Sequence, residues 1–119
     1  MAIARRYRRK LVVDGRAFFW CVRDTDADDW YGLTLTVVSE DKRFLVHYRL
    51  GQPDGHRYLI VIGPEFPTLP PSGNWRRVLC PEWQRGSGIQ PADVRRLIDW
   101  CLHSDQAISQ VDWRGQPLW

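Results

Sequence analysis

The chain has 119 residues, 44% of them hydrophobic and 26% charged, which suits a single globular domain that buries roughly 65% of its unfolded surface. No apolar run approaches the ~18 residues needed to cross a bilayer as a helix, so no transmembrane helix is expected. The net charge of +3 permits a nucleic-acid or acidic partner without requiring one.

Three cysteines, Cys21, Cys80 and Cys101, are odd in number and far apart. They read as reduced thiols in a cytoplasmic protein. The basic N-terminus, MAIARRYRRKLVV, has too few consecutive apolar residues for a signal peptide. Two features of composition stand out. There are seven tryptophans, and Lys10 and Lys42 are the only lysines among seventeen basic residues. Trp and Arg concentrate at binding hot spots. A GC-rich bacterial genome and a Trp-filled core account for the same composition.

In chain order, Tyr7 to Arg23 places Asp14-Gly15 between two β-prone runs, a strong hairpin signal. That turn pairs Val13 with Arg16, Leu11 with Phe18 and Arg9 with Trp20, leaving one face mostly apolar. Arg6, Arg8 and Lys10 then share the other face with Phe19, Cys21 and Arg23. A one-residue slip would bury those charges, so the register is well specified. Asp24 to Asp29, DTDADD, reads as an acidic loop. It mimics the first carboxylates of a calcium loop, but Asp29 stands at the glycine position and Leu35 at that of the bidentate Glu.

Trp30 to Ser39 alternates apolar and polar residues, as a half-buried strand does. Arg43 to Leu50 returns after the Glu40-Asp41-Lys42 turn. His56 to Ile62 is more uniformly apolar, as in a strand covered on both faces. Prolines at 64, 67, 70 and 71 make the following segment a stiff extended connection, with polyproline docking as the functional alternative. Arg76 to Cys80 has the length of a further short strand. Gln90 to His103 carries Val94, Leu97, Ile98, Cys101 and Leu102 at helical spacing, with Arg96, Asp99 and His103 opposite. Trp113 and Trp119 suggest a tail that folds back on the body. The expected fold class is α+β: a mainly antiparallel sheet of about five strands, with one C-terminal amphipathic helix packed on one face.

No catalytic constellation is legible. Cys101 and His103 are two apart on a helix and fall on nearly opposite faces, so no metal site is expected. No cysteine or serine carries a nucleophile signature, and Gly86-Ser87-Gly88 lacks the remainder of a phosphate-binding loop. No cofactor is expected. The leading functional expectation is a non-enzymatic binding or regulatory module that recognises a protein partner or a second copy of itself. Trp30, Trp83, Arg96 and Trp100 are its candidate contacts. The alternative is a nucleic-acid binder using Arg6, Arg8, Lys10 and Phe19, with Phe19 as a stacking platform; edge protection explains the same charges. A small enzyme of unknown reaction is the third reading.

VDGRAFFWCV at 13–22, QPADVRRLIDWCL at 90–102 and the ending WRGQPL at 113–118 resemble segments of small, functionally uncharacterised bacterial proteins. These have an N-terminal VDG hairpin and a C-terminal PxDVRxxI helix. Gln90 stands where the group has a capping Thr, and its Gly-Trp-x-Pro turn is altered here. The resemblance implies the hairpin-plus-helix architecture and a bacterial cytoplasmic origin, and brings no site residues.

Overall fold

The computed structural model describes residues 8–27, 30–52, 55–67, 69, 75–83, 88–103, 108–112 and 114–118; residues 24–27 and 30–32 are described as backbone only. Seven strands and one helix follow in chain order: β1 (Arg9–Val13), β2 (Arg16–Ala27), β3 (Trp30–Ser39), β4 (Leu45–Arg49), β5 (Tyr58–Val61), β6 (Arg76–Leu79), α1 (Pro91–His103) and β7 (Gln110–Val111). The strands form one antiparallel sheet in sequential order, β1 to β7. Each strand therefore pairs with its chain neighbour, and the described residues form an α+β meander with a single helix.

The first hairpin has the register set by its turn, with Leu11 opposite Phe18 and Arg9 opposite Trp20. Asp14 and Gly15 both adopt positive φ (53° and 78°), the conformation a two-residue turn of this hand demands. The sheet departs from the expected five strands in three places. Asp24 to Ala27 continue β2 in register with β3, Asp24 opposite Leu33 and Ala27 opposite Trp30, so the acidic stretch is largely strand and not loop. Cross-strand hydrogen bonding to the β-prone WYGLTLTVV run overrides the weak strand propensity of aspartate. Arg76–Leu79 is a full member of the sheet, paired with β5. Its outer edge is closed by Gln110–Val111 of the tail.

One face of the sheet meets α1. Phe18, Trp20, Leu35, Val37, Val46, Tyr48, Leu59, Val61 and Val78 share a core with Val94, Leu97, Ile98 and Cys101 of the helix. These are the apolar positions that the helical period marks out. The helix begins at Gln90, whose carbonyl accepts from the Asp93 and Val94 amides. Asp93 accepts the Gln90 amide proton in return at 2.7 Å, the carboxylate half of a capping box. The Thr's own part, accepting an amide proton of the first turn, is a separate half of that box and is not taken over by Asp93.

The opposite face is not simply wet. Tyr58, Ile60 and Val111 form a second buried cluster there. Cys21, expected among polar neighbours, is 5% exposed; the row Cys21–Thr36–His47–Ile60 crosses the sheet beside it.

Gln52 stitches the turn from β4 to β5. Its side chain donates to the Arg49 and Tyr58 carbonyls and accepts the Tyr58 amide proton. The tail runs back along the sheet, although Trp113 and Trp119, which suggested this, lie outside the described residues. Val111 bridges Pro117, and Gly115, at φ 78°, comes so close to the His56 carbonyl that a Cβ would lie 2.4 Å from its oxygen.

Candidate recognition surface

The four residues expected to contact a partner have separate fates. Trp83 is 3% exposed and belongs to the core, which corrects its place among the expected partner contacts. Arg96 is committed to the fold: it donates to Asp93 Oδ1 at 2.6 Å and to the Trp83 carbonyl. It thereby ties the helix start to the segment before it. The Trp30 side chain lies outside the described residues. Trp100 alone combines partial exposure with a lined opening.

Trp100 projects from α1 at the border of the apolar stripe. Its ring stacks edge-on against Trp83 (5.6 Å between centroids) and Phe66 (6.3 Å), arrangements aromatic quadrupoles favour. Its free side lines a pocket of about 320 Å³ together with Arg57, Leu79, Cys80 and Ser109. This opening lies where the start of β5, the end of β6, the approach to β7 and the helix converge.

Arg57 gives the pocket its charge. It is 8% exposed, because the Gln52-stitched turn and the Cys80 amide, which donates to the Arg57 carbonyl, hold its backbone against the sheet. Its guanidinium donates to the Gln52 carbonyl at 3.0 Å and more distantly to Glu82 Oε2 at 3.4 Å. The Glu82 side chain is 55% exposed, so this ion pair is weak and replaceable.

Two polar groups near the pocket are buried, the Tyr48 hydroxyl beside Arg57 and the Trp83 indole N–H beside the Cys80 sulfur. Arg57 lies close enough to Tyr48 to favour its phenolate, but burial dominates and pushes that hydroxyl up to about 12. Burial likewise pushes the Cys80 thiol up to about 12 despite the neighbouring Trp83 and Arg57. A buried cation, an indole wall and protonated neighbours can bind an anionic group. They do not supply a nucleophile or base near neutral pH.

The nucleic-acid candidates also separate. Arg6 lies outside the described residues. Arg8 is half-buried, with its guanidinium over the Phe19 ring at 4.1 Å, so the proposed platform already holds a cation. Lys10 is exposed and pairs across the sheet with Phe19. The register extends this side of the sheet to Arg23, Arg49 and Arg77. Among the described residues, no Asp or Glu occupies a strand position on that helix-free face.

Sequence reasoning missed Arg57, Tyr48 and Cys80. One signal was available: Arg57 falls within the largely apolar His56 to Ile62 run, where a charge has to find partners. The segments that supply them are remote in sequence, and only the meander brings them together. Compared with protein-family models, curated proteins and solved structures, the chain matches none.

Proposed function

We propose that this chain is a non-enzymatic binding module that recognises a protein partner through the pocket between Trp100 and Arg57. The observation that carries this reading is one opening lined by a half-exposed indole and a buried guanidinium. Such pairs concentrate binding energy at interface centres. A carboxylate of the partner, on an acidic side chain or at a chain end, replaces Glu82 on Arg57. The buried cation stays neutralised throughout, so the exchange avoids an unpaired charge. Three free thiols fit a reducing, cytoplasmic setting. A second copy of the chain, which carries its own carboxylates, is one such partner.

The test uses short acetylated peptides with acidic residues and a free C-terminus, compared with amidated neutral ones and followed by tryptophan fluorescence. Binding of the acidic set alone is expected, weakened by both Arg57→Lys and Trp100→Phe with the fold retained by circular dichroism. Equal responses to both peptide sets, or full binding by Trp100→Phe, would sink the reading.

A second reading, nucleic-acid binding, is favoured by one observation: Lys10, Arg23, Arg49 and Arg77 share a face without strand carboxylates. Its signature is retention on single-stranded DNA with a log–log salt slope of about −3, as expected for four phosphate contacts. Lys10→Glu should weaken that retention. A flat salt response rules it out.

A further inference from the structure

We propose that Asp14, Asp99 and His103 form a surface site for a divalent transition-metal ion of the zinc class, joining the first hairpin turn to the end of the helix. Asp14 stands at the tip of the β1–β2 turn, held at φ 53°. Asp99 and His103 are four apart near the end of α1 and therefore project from one side of it. One ligand atom from each of the three side chains lies within 4.8 Å of the others. Donor atoms at zinc bond lengths sit about 3.4 Å apart in a tetrahedral shell. Asp14 and His103 are exposed and Asp99 is half-buried, so side-chain rotation has room to close that gap.

Charge and donor chemistry point the same way. His103 is the last residue of the helix, where unsatisfied carbonyls concentrate negative charge and favour a cation. Two carboxylates add formal negative charge, and an imidazole selects a first-row transition dication over magnesium or calcium, which prefer all-oxygen shells. Three protein ligands leave a coordination position for water. Neutral imidazole is the ligand form, so protons compete with the metal in acid. The local pattern of Cys101 and His103 concealed this set, because the partner of His103 on its own face is Asp99 and the third ligand comes from a distant turn.

Full-length, tag-free protein titrated with Zn²⁺ in a calorimeter should bind one equivalent, and Co²⁺ should give a visible absorption band. Zn²⁺ should also raise the melting temperature. Asp14→Asn, whose side chain still tolerates positive φ, and His103→Gln should each weaken binding by about tenfold or more. Both should lose the thermal shift, with unchanged circular dichroism. Absence of heat and of a Co²⁺ band overturns the site. So does binding that survives both substitutions, since the ion would then rest on other groups.

Discussion

The Thr36 hydroxyl and His47 Nδ1 lie 2.7 Å apart across the β3–β4 pair on the helix-free face. His47 is 4% exposed, and burial lowers its pKa from 6.5 to about 4. The folded state thus keeps the imidazole neutral where the unfolded chain takes up a proton. Stability contributed by this group is intact above pH 6.5 and is lost as pH falls toward 4. The gap corresponds to an upper limit of about 3 kcal/mol. Urea unfolding at pH 7 and pH 4.5 should show a smaller pH-dependent loss in His47→Gln than in the unsubstituted chain. Equal losses would remove His47 from the account.

Arg96 has a structural role here, so its removal should register in stability. Asp93 is 5% exposed while Arg96 is 35% exposed, and Arg96→Ala leaves that carboxylate buried without its cation. Discounted for the exposed partner, a loss of about 1–3 kcal/mol is expected in denaturant unfolding. An unchanged midpoint would return Arg96 to the pool of free surface contacts.

Gly63 follows β5 at a point where backbones touch. A Cβ there would lie 2.4 Å from the Arg43 carbonyl oxygen and 2.7 Å from the Leu45 nitrogen. Backbone cannot swing aside, so Gly63→Ala should cost about 1–3 kcal/mol through overpacking. Gly88→Ala is the control: nothing lies within 4 Å of its Cβ position, and its effect should stay within about 0.5 kcal/mol. Thermal melts of the pair make the comparison.

The thiols should be slow. Burial raises the pKa of Cys21, Cys80 and Cys101 alike. The rise from 9.0 to about 12 at Cys80 cuts its thiolate fraction roughly a thousandfold. Labelling with a disulfide reagent at pH 8 should proceed at model-thiol rates only after urea is added. One fast equivalent in the folded protein would show that a thiol is exposed and activated.

Much of the fold was legible because its determinants are local. Asp14-Gly15 fixed the first hairpin and its register through the φ angles that turn requires. Val94, Leu97, Ile98 and Cys101 marked the buried stripe because a 3.6-residue period puts them on one side. The extra strands escaped for the complementary reason. Gln110–Val111 is too short to carry a period, and Asp24–Ala27, the continuation of β2, has poor strand propensity; both are extended because a neighbour offers hydrogen bonds. Trp83 misled for a related cause: its local setting is a loop, and its burial is decided by Trp100 and Arg96 arriving from the helix.

The sequence by itself determined the α+β class, the hairpin register and the dry face of the helix, since turn chemistry and periodicity act over a few residues. Only tertiary structure decided which side chains meet. It set Arg57 beside Trp100 and Asp14 beside Asp99 and His103, because a charge or a ligand acquires its partners through the packing of segments that no local pattern connects.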